Sequence, residues 1–201
     1  MSINVASPPT LSTAVLSRST WLTEAILLVA GVGLIALSAQ ISFHIPGTPV
    51  PITGQTFAAL LVGSAYGATR GFATFGLYLL VGIVGLPVYQ SGASGWSEVS
   101  GALGGYLVGM LLAATLVGLL AERKWDRRLS SSITSMLTGT VVIYACGLVW
   151  LYHELPNATF ASTLSAGLYP FVVGDMLKLY LAGAALPGAW ALVRKVKGER
   201  G

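Results

Sequence analysis

Residues 101–128 read GALGGYLVGMLLAATLVGLLAERKWDRR: 21 residues without a charge, then Arg123, Lys124, Arg127 and Arg128 within six positions. A helix that crosses the hydrocarbon core needs about 20 mostly apolar residues. The stretch therefore predicts a membrane-spanning helix ending in a basic loop. Five further runs of the same kind lie at 21–43, 51–69, 71–89, 133–152 and 168–193. Outer-membrane strands alternate apolar and polar residues over about 10 positions. These runs are continuous and longer, so the expected fold class is all-α, a polytopic membrane protein with six transmembrane helices.

Composition agrees. Of 201 residues, 54% are hydrophobic and only 9% charged, with a mean hydropathy of +0.77. A soluble domain carries roughly 25% charged residues. This chain has too few to coat a soluble surface or to keep a disordered chain solvated. The net charge of +4 does not imply nucleic acid, because the basic residues form short clusters between apolar runs and no basic stripe. The single cysteine, Cys146, lies inside an apolar run and builds neither a disulfide framework nor a metal site.

The charges also set orientation. Arg18 precedes the first run and Arg70 separates the second from the third. Arg123, Lys124, Arg127 and Arg128 separate the fourth from the fifth; Arg194, Lys195, Lys197 and Arg200 follow the sixth. All four segments fall on one side of a six-span chain, and the opposite segments, around His44, Glu98 and His153, hold no Lys or Arg. The positive-inside rule then places both termini in the cytoplasm, with the lipid bilayer of the cell (inner) membrane as the surroundings. Residues 1–20 read as a disordered tail, 21–193 as the membrane domain and 194–201 as a basic tail.

One basic residue remains, Lys178, inside the sixth run. Asp175 stands three positions before it and shares nearly the same helix face. A charge in a spanning helix costs about 2.5–3.5 kcal/mol on insertion scales, and such residues mark functional sites by default. The alternative is an ion pair that only ties helices together. Pro170 suits the first turn of that helix.

Two segments opposite the basic loops frame this pair. One, HIPGTPVPITGQT (44–56), is stiffened by three prolines and offers Thr53, Gln55 and Thr56. It reads as a lid. The other, GLPVYQSGASGWSE (85–98), is rich in Gly and Ser and carries Tyr89 and Trp96. Glycines at 63, 67 and 71, and at 101, 105 and 109, have the four-residue spacing that lets helices approach closely in lipid. Ala30, Gly33, Ala36 and Ala39 form a row of small residues on the first helix, suited to packing or to docking another membrane protein.

These segments together resemble the BioY family, the biotin-binding S component of energy-coupling factor transporters. The residues that carry the likeness are PVPITGQT (49–56), GLPVY (85–89), GGYLVG (104–109) and YPFVVGDMLK (169–178), in the family's order. Two departures stand out: the 90–95 loop lacks paired glycines, and Ala102 and Leu103 replace a common Pro and Thr. The resemblance implies a biotin pocket at the outer end, with Asp175 and Lys178 contacting the ligand and Thr53, Gln55, Tyr89, Ser91 and Gly104 as further binding candidates. It implies uptake with a transmembrane coupling subunit and two ATPases, or alone, with Ala30, Gly33 and Ala36 as the coupling surface. Biotin would be the ligand, with no cofactor, metal or nucleic acid.

Biotin's chemistry suits such a site. Asp175 accepts from ureido N–H groups, and Lys178 donates to the ureido oxygen or stabilises Asp175. Within transport, the rival is an S component for another vitamin. From a different class, the pattern GASG (92–95) matches intramembrane serine hydrolases, with Ser94 as nucleophile and His44 or His153 as base. No phosphate-binding loop occurs, so ATP hydrolysis by that route is excluded.

Overall fold

A computed structural model describes residues 10–16 and 20–197. Arg18, Arg200 and the outermost parts of both tails lie outside the described residues. Nine helices follow in chain order among the described residues: α1 Leu11–Val15, α2 Trp21–Gln40, α3 Gln55–Tyr66, α4 Ala68–Ile83, α5 Trp96–Ser100, α6 Gly104–Glu122, α7 Leu129–Glu154, α8 Phe160–Gly167 and α9 Val172–Val196. Four of them, α2, α6, α7 and α9, are long and apolar enough to cross a membrane. The protein is thus an all-α membrane protein.

The runs at 51–69 and 71–89 do not become two equal helices. Pro51 restricts the backbone just ahead of it, and strand β2 (Ile52–Thr53) pairs antiparallel with β1 (Ser42–Phe43), Ser42 opposite Thr53. Helix α3 then has only 12 residues. It ends at Gly67, whose φ of +87° suits glycine alone, and α4 begins at the next residue. Helix α4 stops at Ile83, so the apolar residues up to Tyr89 lie in a loop with Gly85 at φ +107°. Val50, Pro51 and Thr53 in this segment are buried.

Helix α6 runs through the centre and packs on α3, α4 and α7. Its glycines permit this. A Cβ at Gly105 would sit 2.2 Å from Trp150 Cβ, and one at Gly109 would sit 2.9 Å from Ile143 Cα, both on α7. A Cβ at Gly63 would sit 2.3 Å from the Ala114 carbonyl oxygen on α6. Small residues do the work of close packing here. On α2 the inward face is Gly31, Ile35 and Ala39. Ala30 is exposed, Gly33 has open space where a side chain would stand, and Ala36 packs partly against the core.

At the basic end, polar contacts close the bundle. Arg70 Nε donates to Glu24 Oε2 at 2.7 Å and its Nη1 to Ser12 Oγ at 3.3 Å. Part of the expected disordered tail is therefore ordered: α1 packs against α3 and α9, with Ser12 and Ala14 buried. Glu122 Oε1 accepts the Ala68 backbone N–H at 2.9 Å, capping α4 from another helix. In the turn between α6 and α7, Trp190 Nε1 donates to buried Asp126, and Arg127 lies 4.3 Å over the Trp190 ring. Pro187 sits within α9, as membrane helices tolerate.

Candidate binding site

Helix α9 starts at Val172, two residues after Pro170, so Pro170 stands in the turn that precedes it and not in its first turn. Asp175 lies in the first turn, at the end of the bundle opposite the basic loops. A helix N-terminus favours a negative charge there. Lys178 follows one turn deeper, and its Nζ donates to Asp175 Oδ1 at 2.8 Å. The same Nζ donates to the Thr53 carbonyl oxygen at 2.6 Å. The Tyr144 hydroxyl, from α7, donates to Asp175 Oδ2. Both carboxylate oxygens and two of the three ammonium protons are therefore engaged.

These groups form the polar wall of a narrow cavity between α3, α6, α7 and α9, with a volume of about 30 Å³. Val50, Pro51 and Thr53 cover it; Met110, Ile143 and Phe171 supply apolar wall. Thr53, Gln55, Asp175 and Lys178, all candidates from the sequence, line this one space. Gln55 is 2% exposed, and its Nε2 donates to Tyr78 Oη at 2.8 Å. Tyr78 in turn donates to the Val88 carbonyl at 3.1 Å. Gln55 thus joins the cavity to the second loop.

Tyr89, Ser91 and Gly104 are not brought to the cavity. Tyr89 is fully buried against Gly82 and donates to the Leu79 carbonyl at 2.7 Å. Ser91, at φ +53°, is hydrogen-bonded to Ser42 Oγ at 2.9 Å. Gly104 is a steric requirement, since a Cβ there would lie 2.1 Å from the Val99 carbonyl oxygen. Gln40 fastens this loop to α2, donating to the Tyr89 carbonyl at 3.0 Å and accepting from Gly92 N–H at 2.9 Å. Ser94 has no hydrogen bond to His44 or His153 among the described residues; the His153 ring meets Tyr152 edge-on at 5.8 Å.

Thr56, which the sequence also offered, lines the cavity, as do Tyr144 and Tyr106, whose roles sequence reasoning passed over. The signal was a phenol in the middle of an apolar run, at TVVIYACG (140–147). Its hydroxyl needs a partner once buried, and the nearest charged residue in the membrane domain supplies one.

The chain resembles known proteins along most of its length. It is 37% identical to "Biotin transporter BioY" of Thermotoga maritima over 161 residues, 78% of this chain and 90% of that one. It is 34% identical to "Probable biotin transporter BioY" of Pyrococcus horikoshii, covering 77% of this chain and 88% of that one. The fold matches the crystal structure of the S-component for biotin from an ECF-type ABC transporter with a TM-score of 0.73, at 24% identity, covering 92% of this chain and 97% of that chain. A sequence profile of the BioY family matches residues 10–195, and the chain belongs to the BioY family.

Proposed function

We propose that the chain is the biotin-binding membrane subunit of a vitamin uptake transporter. Biotin enters the cavity beside Asp175 and Lys178 from the face opposite the basic loops. The observation that carries this reading is the Asp175–Lys178–Tyr144 cluster at one wall of a largely apolar cavity. A ureido ring presents two N–H donors around one carbonyl acceptor. Asp175 supplies acceptor lone pairs, Lys178 has one ammonium proton left to donate, and Met110, Ile143 and Phe171 suit the thioether ring. The names of the similar proteins support biotin as the ligand.

In this reading α2, α3, α4, α6, α7 and α9 make six crossings and both termini are cytoplasmic. The buried extended segment before α3 supports this, because it carries the short helix's path deeper into the bundle. Residues 21–193 form the substrate-binding domain within the inner cell membrane. The chain works with a transmembrane coupling subunit and two ATPases, or alone. Exposed Ala30 and the open space at Gly33 support α2 as the coupling surface, with Ala36 at its edge.

Mass spectrometry of the denatured, freshly purified protein tests the ligand, with competition by other vitamins against labelled biotin. Retained biotin, displaced only by biotin, is expected. A folded protein that retains another vitamin instead overturns the assignment. Asp175→Asn with Lys178→Gln is expected to abolish retention; unchanged affinity in that folded double variant removes the pair from the site.

A further inference from the structure

Tyr144 has a hydroxyl committed to Asp175 Oδ2, and it is itself held from behind. The Tyr106 ring meets it edge-on, with centroids 6.2 Å apart and planes at 88°. Tyr106 is 4% exposed, and its hydroxyl donates to the Gly167 carbonyl on α8 at 2.8 Å. It lies in a slot opened by Gly147, where a Cβ would stand 2.4 Å from the ring. A relay of fixed contacts thus runs from α8 through two phenols to the carboxylate.

We propose that Tyr144 is a positioning residue that sets the donor–acceptor pattern of the pocket. The inference rests on the reading that this cavity takes biotin. With Oδ2 occupied by the phenol and Oδ1 by Lys178, the carboxylate plane is fixed, and only its remaining lone pairs face the ligand. Asp175 therefore serves as an aligned acceptor for a ureido N–H. Without the phenol the carboxylate turns about its last torsion toward Lys178, and the preference for an N–H at that place weakens. A group whose partners are all fixed discriminates strongly against a ligand that leaves it unpaired.

The test compares three ligands on wild type and Tyr144→Phe in detergent: biotin, biotin methylated on a ureido nitrogen, and desthiobiotin, which keeps the ureido ring but lacks the thioether ring. In wild type, methylation is expected to weaken binding at least a hundredfold. In Tyr144→Phe, biotin binding falls about tenfold, the methylation penalty shrinks to tenfold or less, and the biotin to desthiobiotin ratio stays constant. A general loosening of the pocket would instead weaken all three ligands in parallel, and that result overturns the proposal, as does a full methylation penalty in the variant. If Tyr144→Phe does not fold, Tyr106→Phe serves, with a smaller narrowing of the same penalty expected and an unchanged penalty counting against the role. Wild type that fails to bind biotin at all speaks against the biotin reading, whereas an intact penalty in the variants speaks against Tyr144 alone.

Discussion

Lys178 Nζ donates to the carbonyl oxygen of Thr53 at 2.6 Å, across 125 residues of sequence. The ammonium group thereby ties α9 to the extended segment that covers the cavity, while its other bond holds Asp175. Cover and polar wall share one side chain, so a shift of the cover is felt by the ammonium that holds Asp175.

Removing one member of this pair leaves the other, half-buried charge without its partner. Lys178→Met and Asp175→Asn are each expected to lower thermal stability in detergent, Lys178→Met more, because it also strands the Thr53 carbonyl. The double variant is expected to lose less than the sum, with a coupling of about 0.5–3 kcal/mol. Additive losses in a thermal or denaturant melt would show that the two side chains act independently.

The glycines of α6 and α2 make opposite demands. Gly105→Ala forces a Cβ to within 2.2 Å of Trp150 Cβ and 2.6 Å of the Cys146 carbonyl oxygen. Overpacking of this sort costs about 1–3 kcal/mol. Gly33→Ala meets nothing within 4 Å and is expected to raise the melting temperature slightly, since Ala is favoured over Gly inside a helix by about 0.5–1 kcal/mol. Paired melts of the two variants decide the matter.

Glu122→Ala removes the acceptor for the Ala68 N–H at the start of α4. Loss of a cap costs about 0.5–2 kcal/mol. Glu122→Gln keeps a side-chain oxygen and is expected to retain at least half of that stability. Hydrogen exchange at the first turn of α4 reads the effect locally, rising in the alanine variant and little in the glutamine one.

Stability is also expected to depend on pH through Asp126, which lies in the turn between α6 and α7. Burial pushes its carboxyl above the ordinary range, outweighing the lowering effects of the Trp190 hydrogen bond, its own backbone hydrogen bond and the Arg127 charge. A carboxyl whose folded value exceeds its unfolded one favours the fold while protonated. That contribution is present below the ordinary carboxyl value, near pH 4, and is lost as pH rises through the raised value. Asp126→Asn keeps an oxygen for Trp190 and carries no charge. Its melting temperature is expected to gain on wild type as pH rises, and a gap that stays constant from about pH 4 to about pH 8 would exclude the effect.

The longest spans were legible because a run that is apolar throughout has few solutions in lipid. The run at 101–121 becomes α6, starting three residues late, and that at 133–152 lies wholly within α7. The run at 51–69 misled because hydropathy is blind to φ: its start is the short strand Ile52–Thr53, and Gly67 breaks it near the end. Asp175 and Lys178 stood out as charges in an apolar context. Tyr144 did not, because its ring counts as apolar while its hydroxyl does the binding. Tyr89 and Ser91 looked available as polar residues in a loop, yet the Leu79 carbonyl and Ser42 hydroxyl already engage them.

The single-residue reversal at Gly67 has a mechanical corollary. With α3 and α4 joined by one residue, and with the Gly63 and Gly71 backbones so close that a Cβ at Gly71 would lie 3.0 Å from Gly63 Cα, the hairpin has no slack. It behaves like scissors with a stiff rivet, so tilting either blade must carry its mate along, and an affinity tag spliced at that point would jam the pair.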